Sequence, residues 1–346
     1  MTGPVSRGRR ALFTALGLLP LMVAGGPGFA RPSPAVPGPG QSRATPPLTD
    51  LPVACRSLLW HDPDRDKHAV PFLLLHPCRA AGDDRPAPGG PWPRVICAHG
   101  FTLGAASLRP VAERLAAAGY VVALPDTETG FLPFPSHRAL ALDMVFLAER
   151  LRAESADGGS PLAGLAGEGL AFSGHSMGGG CAFLAAAEAE KAGRGPGTVA
   201  VMAPARTRPS SLEAARSLPW PVLVVAGQDD RVLSPAIGPD AHYAAAASPD
   251  KALLEIAGAN HGAFALPHWA AALVEKGPAI TAQTQQALTA ECLRAWLDAC
   301  LKGRNEAWKA LTAALPSDPR FSRFQIGPGS GSESANSEAR QRVPGR

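Results

Sequence analysis

Residues 174–178, with the sequence GHSMG, constrain the fold of this chain more than any other stretch. The apolar residues 170–172 before them predict the end of a buried strand, and the small residues 179–187 (GGCAFLAAA) predict a helix packed tightly against a sheet. A G-x-S-x-G turn between a strand and a helix holds its serine, here Ser176, out of the backbone in strained geometry. An ordinary glycine-rich turn is the alternative, but the strand–turn–helix context favours a nucleophilic serine.

Short apolar runs alternate with helical patterns on both sides of this turn. Such alternation is typical of a mostly parallel sheet with helices on both faces. We expect an opening hairpin followed by six further strands, the one at 251–256 being the last, and a final helix that closes the fold. The predicted strands are 57–61, 70–76, 94–98, 120–124, 170–173, 198–202, 222–226 and 251–256, and the predicted helices are 108–118, 137–154 and 284–301.

Four of the predicted strands are followed by residues that can carry chemistry. They are His-Gly-Phe at 99–101, Ser176, the acidic pair 229–230, and His261. In an open parallel sheet such groups collect beyond the carboxyl ends of the strands. The order Ser…Asp…His along the chain is the order found in α/β-hydrolases, so the sequence predicts an α/β-hydrolase fold.

The same residues predict a catalytic triad. A serine hydroxyl needs an imidazole to take its proton, and the imidazole needs an acid to fix its tautomer. We predict Ser176 as the nucleophile and His261 as the base, with His268 as the nearest alternative base. A G-x-x-D-x-x-V interpretation of the loop after residue 226 makes Asp230 the acid, although a shift of one residue would select Asp229.

Negative charge that develops on a carbonyl oxygen needs two backbone N–H groups to meet it. We predict that Met177, at the start of a helix, supplies one of them and that Phe101 supplies the other. The Phe101 ring can also line an acyl pocket. His99 is expected to shape this oxyanion loop from a buried position, and His175 to pack and hydrogen-bond within the serine turn.

The two ends of the chain predict export and flexible segments. Residues 1–30 contain Arg9-Arg10, an apolar core at 11–24 and a small-x-small site, so we expect an export signal of the twin-arginine or ordinary secretory type. Residues 31–49 are Pro/Gly-rich and predict a linker, and residues 326–346 predict a disordered tail. We therefore expect one hydrolase domain at 50–325 in a periplasmic or extracellular protein.

Composition excludes several classes of partner. With 18% charged residues, a net charge of +4 and no basic stripe, the chain is not expected to bind nucleic acid. Beyond the signal it contains no apolar run of the roughly 18–20 residues that a membrane span needs. Among its six cysteines, Cys55 and Cys78 flank the opening hairpin and are a candidate disulfide, while no spacing suggests a metal site. We expect a cofactor-free monomer.

Four segments carry a resemblance that spans most of residues 55–302. They are ICAHGFTLGAASLRPVAERLAAAGYVVALPDTET, FSGHSMGGG, VLVVAGQDDRVLSP and SPDKALLEIAGANHGAF. In these the chain resembles bacterial cutinase-like polyester hydrolases and, behind them, chlorophyllase and dienelactone-hydrolase-like esterases. The resemblance implies a secreted serine esterase whose oxyanion hole uses the amides of Phe101 and Met177.

Two departures from that family concern the substrate pocket. The resemblance implies a tryptophan where this chain has Ala205-Arg206, so half of an aromatic substrate clamp is missing. The loop that contains Phe131 and Phe134 is more apolar than in the relatives, and we expect both rings to bind substrate.

The expected activity is hydrolysis of carboxylic esters through an acyl-enzyme intermediate. Short- or medium-chain acyl esters are the expected substrates, with lipids or polyesters as extensions of that range. The alternatives are a non-catalytic binding protein of the same fold, and a peptidase or haloperoxidase that uses the same triad.

Overall fold

The computed structural model describes residues 50–195, 197–234, 237–266, 275, 277 and 279–330. The predicted export signal, the linker, the tail beyond residue 330 and the alternative base His268 lie outside these residues. Nine strands form one sheet: β1 Val53–Asp62, β2 His68–Pro77, β3 Trp92–Ala98, β4 Val121–Pro125, β5 Ala166–His175, β6 Gly197–Met202, β7 Val222–Gly227, β8 Lys251–Ile256 and β9 Phe321–Ile326.

The strand order is β1-β2-β4-β3-β5-β6-β7-β8-β9. The six strands from β4 to β8 are mutually parallel, whereas β1, β2 and β9 run antiparallel to their neighbours. Gly174 in β5 lies level with Ala98 in β3 and Val201 in β6, so the carboxyl ends of the central strands meet at one edge. That edge is where such folds place their functional groups.

In the described residues, seven α-helices cover the two faces of the sheet: α1 Arg109–Ala117, α2 His137–Ala156, α3 Met177–Lys191, α4 Ser211–Ser217, α5 Pro239–Ala245, α6 Ala282–Lys302 and α7 Glu306–Ala314. Side chains of α2 to α5, such as Leu140 and Phe183, pack in one buried cluster. Those of α1, α6 and α7, such as Leu115 and Trp296, pack in another. The predicted mixed, mostly parallel sheet with helices on both faces is confirmed.

The eight predicted strands and three predicted helices are present, with bounds that differ by a few residues. The prediction that the helix at 284–301 closes the fold was wrong, because α7 and β9 follow it, and β9 pairs with β8. Arg and Ser interrupt the apolar residues of β9, and its residues are only partly buried after the first, so the strand has no strong pattern. The amide of Gly327 still donates to Lys251 O at 2.7 Å, which takes the hydrogen-bonded chain past the predicted boundary at 325.

The disulfide suggested for Cys55 and Cys78 does not form, because both thiols are free. The hairpin is as predicted, but its register pairs Cys55 with Leu75. Cys78 lies three residues further on, beyond the end of β2, where its thiol contacts the carbonyl oxygen of Ala80 at 3.1 Å. Cys78 is thus three residues away from the position that faces Cys55 across the hairpin.

No helix in the described part of the chain combines the length and the apolar character that a bilayer crossing requires.

Candidate active site

The turn at Ser176 is a tightly packed junction of strand and helix. Ser176 joins β5 to α3 with φ 54° and ψ −117°, a conformation that costs a non-glycine residue about 1–3 kcal/mol. A Cβ on Gly174 would lie 2.4 Å from the carbonyl carbon of Gly178, and a Cβ on Gly178 would lie 2.1 Å from Ala98 O. Glycine is therefore required at both positions, because only the absence of a side chain lets β3, β5 and α3 approach this closely.

Backbone hydrogen bonds hold Ser176 in this conformation. Its N–H donates to Met202 O at 3.0 Å, and its carbonyl accepts from the Ala205 amide at 2.9 Å. The segment after β6 therefore borders the serine. Ala205 and the exposed Arg206 occupy this border, where the family resemblance implies a tryptophan.

The structure brings Asp230 and His261 together. His261 Nδ1 lies 2.8 Å from Asp230 Oδ2, and both side chains are more than nine-tenths buried. The other carboxylate oxygen of Asp230 accepts the amides of Val232 and Leu233, each at 2.9 Å, which fixes the plane of the carboxylate. Asp229 is exposed, and its amide donates to Ala259 O at 2.8 Å. Asp230 is therefore the acid placed to orient the imidazole of His261.

Glu275 holds the backbone of the His261 loop and was missed by the sequence. Its two carboxylate oxygens accept the amides of His261 at 2.7 Å and Gly262 at 2.8 Å. Charge-assisted hydrogen bonds to two successive amides restrict the orientation of the loop. Glu275 stands fourteen positions after His261 with no motif around it, so only the fold reveals this contact.

His175 joins the serine turn to the His261 loop. Its Nε2–H donates to the carbonyl oxygen of His261 at 3.0 Å, and the two ring centroids are 4.7 Å apart. Complete burial, and next the neighbouring His261, hold the pKa of His175 well below its ordinary value. His175 Nδ1 has no hydrogen-bond partner among the described residues, as expected for a neutral ring. His175 is therefore a neutral ring whose one N–H is held by the carbonyl oxygen of His261.

The two predicted oxyanion amides belong to two segments that both adjoin Ser176. Met177 is the first residue of α3, where N–H groups have no carbonyl partner within the helix. A Cβ on Gly100 would lie 3.4 Å from Ser176 Cβ, which places the Gly100–Phe101 turn against Ser176. The buried His99 lies beneath this turn, with Nδ1 2.9 Å from Gly100 O.

A buried chain of contacts supports the oxyanion turn and was also missed by the sequence. His99 Nε2 lies 2.8 Å from Thr127 O, and the Thr127 hydroxyl donates to Asp143 Oδ2 at 2.5 Å. Asp143, fully buried in α2, also accepts from Arg65 in the opening hairpin at 2.5 Å. The hairpin, α2 and the loop after β4 are thereby tied to the residue that precedes the oxyanion turn.

Phe131 and Phe134 lie beside the Gly100–Phe101 turn. Among the described residues, their ring contacts are with Phe101 and with each other. The centroid of Phe101 is 5.9 Å from that of Phe131 and 6.1 Å from that of Phe134. The two predicted substrate-binding rings thus form one cluster with the ring of Phe101, whose amide is a predicted oxyanion donor. All three rings are exposed.

A groove of about 940 Å³ lies away from this edge of the sheet, between α1, α6 and α7. Alanines and charged side chains line it, and none of the predicted triad or oxyanion residues does. The predicted catalytic residues lie at the carboxyl ends of the strands and not in this groove.

A mostly parallel sheet with a strained serine after β5, an acid after β7 and a histidine after β8 defines an α/β-hydrolase. A family model described as PETase, PET hydrolase-like, matches residues 87–274, more than half of the chain. The chain therefore belongs to this polyester hydrolase family of the α/β-hydrolase superfamily, and the predicted resemblance is confirmed. No curated protein shows significant similarity to the chain.

The matched residues contain all of the predicted triad and both oxyanion residues. They end before α6, so α6, α7 and β9 lie outside the match. The family indicates a hydrolase that acts on ester bonds.

Proposed function

We propose that the chain is an exported serine hydrolase that cleaves carboxylic esters through an acyl-enzyme intermediate. The observation that carries the proposal is the buried 2.8 Å contact between Asp230 Oδ2 and His261 Nδ1, at the sheet edge where Ser176 stands in strained geometry. A buried carboxylate in this position selects the tautomer with the proton on Nδ1. Nε2 of His261 then keeps its lone pair for the serine proton.

In the first half of the reaction, Ser176 Oγ attacks the ester carbonyl carbon and its proton passes to His261 Nε2. The N–H groups of Met177 and Phe101 donate to the oxyanion that forms. The tetrahedral intermediate then collapses, and the imidazolium gives its proton to the departing alkoxide. Carboxylate Asp230 stabilises the imidazolium without taking the proton.

In the second half, water attacks the acyl-enzyme. His261 Nε2 takes the proton of the water, and the same two amides stabilise the second oxyanion. The proton returns to Ser176 Oγ when the C–O bond to the enzyme breaks, which releases the carboxylic acid. Glu275, which accepts the amide of His261, and His175, which donates to the carbonyl oxygen of His261, keep the imidazole in place through both halves.

The proposed substrates are short- to medium-chain acyl esters and polyesters. Family membership supports a polyester, and the exposed Phe131 and Phe134 beside the oxyanion turn support an apolar acyl or chain segment. The small Ala205 at the border of the serine supports aliphatic over aromatic polyesters, because it offers no ring for stacking.

Export is proposed from the first 30 residues alone. Arg9-Arg10, the apolar core and the small residues at 28–30 have the order of an export signal. A periplasmic or extracellular location suits an enzyme whose polymeric substrate cannot enter the cell.

The proposal is tested with purified protein and its Ser176→Ala variant on p-nitrophenyl esters of graded chain length. We expect the parent to be active and kcat/KM to fall by about 10³-fold or more in the variant. Comparable thermal melting of the two proteins controls for folding. An inactive parent, or a variant as active as the parent, contradicts the proposed triad.

A further inference from the structure

The predicted oxyanion amide of Phe101 belongs to a peptide unit whose carbonyl oxygen is held from two directions. That oxygen, Gly100 O, accepts the amide of Leu103 at 3.1 Å and lies 2.9 Å from Nδ1 of His99. A peptide unit is planar, and in its trans form the C=O and the N–H point in opposite directions. The contacts that fix Gly100 O therefore also fix the direction of the Phe101 N–H.

The Gly100–Phe101 turn needs this support because the backbone beside it is strained. Thr102, the residue after Phe101, has φ 61°, a left-handed conformation that is rare for a β-branched side chain. Such a conformation persists only where the surrounding structure holds it. A turn that loses its supports relaxes, and the peptide unit that carries the Phe101 amide rotates with it.

Two adjacent residues after β4 hold the two ends of segment 99–105, which contains the turn. At the start of the segment, His99 Nε2 lies 2.8 Å from Thr127 O. At its end, the amide of Ala105 donates to Asp126 Oδ1 at 2.7 Å. The position of the turn therefore follows the position of these two residues.

A buried carboxylate anchors Thr127 in turn. The Thr127 hydroxyl donates to Asp143 Oδ2 at 2.5 Å, and the other carboxylate oxygen of Asp143 accepts from Arg65 at 2.5 Å, so each oxygen has its own partner. Both Thr127 and Asp143 are buried. A hydrogen bond to a charged acceptor is about twice as strong as a neutral one, so Asp143 restrains Thr127 and, through it, His99.

We propose that Thr127 and Asp143 are positioning residues of the oxyanion hole, whose hydrogen bond holds His99 against Gly100 O and so directs the N–H of Phe101. This inference rests on the proposed function, because it assigns how one oxyanion donor of that reaction is held. The competing explanation is that the hydrogen bond serves stability alone, as buried hydrogen bonds elsewhere in the protein do.

Thr127→Val tests the proposal because it removes the hydroxyl and keeps the shape of the side chain. Loss of a whole oxyanion donor costs about 10²–10³ in kcat. For a donor that is present but misdirected, we expect kcat on p-nitrophenyl butyrate to fall by about 10–10²-fold, with KM within about twofold. Thr127→Ser keeps the hydroxyl and should retain kcat to within about threefold.

Thr198→Val is the matched control. Thr198 is also buried, and its hydroxyl donates to Pro221 O and accepts from Trp296 Nε1, each at 2.8 Å. It lies near the amino end of β6, at the edge of the sheet opposite to Ser176. We expect both Thr→Val changes to lower the melting temperature by about 2–6 °C, whereas Thr198→Val should change kcat by less than about twofold.

Inhibition by hexyl trifluoromethyl ketone separates positioning from folding. Ser176 Oγ adds to the ketone carbon, its proton passes to His261, and the carbonyl oxygen becomes an oxyanion that needs the same two amides. We expect Ki to rise in Thr127→Val by the factor by which kcat/KM falls, and to keep the parent value in Thr198→Val. A merely structural role lowers the amount of active protein, which leaves Ki unchanged.

Asp143→Asn approaches the same contact from the other side. A neutral amide holds the Thr127 hydroxyl less strongly, so we expect kcat to fall about threefold or more. Because both changes act on one hydrogen bond, the double variant should lose no more activity than Thr127→Val alone. Asp143→Asn decides the proposal if Thr127→Val does not melt cooperatively.

Four outcomes in an active parent would overturn the positioning role and leave the proposed function intact. They are a kcat of Thr127→Val equal to that of the parent, a loss confined to KM, an unchanged Ki, and an equal loss of kcat in Thr198→Val. A parent that neither hydrolyses p-nitrophenyl butyrate nor binds the ketone contradicts the proposed function itself, and this inference with it.

Discussion

The serine turn and the loop after β4 lie at the same edge of the sheet but are built in opposite ways. In the serine turn, backbone atoms of three elements approach so closely that a Cβ on Gly178 would lie 2.1 Å from Ala98 O. In the loop, a Cβ on Gly130 would find its nearest neighbour at 3.7 Å, and Leu132 is 75% exposed. The serine turn, which is proposed to perform the chemistry, is therefore tightly packed. The loop after β4, which is proposed to contact substrate, has few neighbouring atoms.

This difference predicts where the molecule tolerates change. Reacting groups must be held to within fractions of an ångström, which needs rigid neighbours and satisfied hydrogen bonds. A polymer surface is irregular, so the side chains that contact it need area and no single geometry. Substitutions in the turn should therefore affect folding and catalysis, and those in the loop should affect mainly the binding of substrate.

The largest expected effect comes from the pair Gly178→Ala and Gly130→Ala. In Gly178→Ala the new methyl group collides with β3, so we expect the free energy of unfolding to fall by about 4 kcal/mol or more and activity to be lost. Gly130→Ala should change the free energy by less than about 0.5 kcal/mol, because its Cβ has room. Urea unfolding of both variants checks this, and equal losses would contradict the contrast.

A smaller effect is expected from Asp230→Asn compared with Asp229→Asn. Loss of the carboxylate at Asp230 leaves His261 in the wrong tautomer, so kcat should fall about 10³–10⁴-fold with KM within about threefold. Asp229 is exposed and should change kcat by less than about twofold. Steady-state kinetics on p-nitrophenyl butyrate measures both, and a larger loss for Asp229→Asn would exchange their roles.

The smallest effect is a pH dependence of stability that arises in the buried region. Burial lowers the pKa of His242 to about 4. The neutral ring donates from Nδ1–H to Gly238 O at 2.8 Å and accepts from the Ser211 hydroxyl at Nε2 at 2.9 Å. The unfolded chain protonates this histidine at about pH 6.5, so stability is complete above that pH and is lost as pH falls toward 4. We expect a loss of about 2 kcal/mol at pH 5 relative to pH 8 from His242, with His175 acting in the same direction.

Urea unfolding at pH 5 and pH 8 tests this dependence. His242→Gln should reduce the difference between the two pH values, whereas His61→Gln, at an exposed position, should leave it unchanged. If the difference in the free energy of unfolding between pH 5 and pH 8 is the same in the parent and both variants, His242 is not the source of the pH dependence. The loop at 129–136 contains no titratable side chain and contributes nothing to it.

Much of the fold was readable from local pattern. The strand runs, the helix before Gly119 and the serine turn each depend on residues within one short window, so their physics is local. The elements that were missed, α4, α5, α7 and β9, have short or mixed patterns. Strand β9 exists because β8 offers an unpaired edge, which no window of sequence contains.

A G-x-S-x-G turn and the order of the elements were enough to predict the hydrolase fold and the strand ends that carry Ser176, the acidic pair and His261, because few topologies satisfy both. Which aspartate faces His261 depends on the course of the folded loop after β7, because that course selects one of two adjacent carboxylates. The same holds for the contact of Glu275 with the His261 loop and for the buried contact of Thr127 with Asp143. Each brings together residues distant in the chain, and such contacts exist only once the sheet has placed its carboxyl ends along one edge.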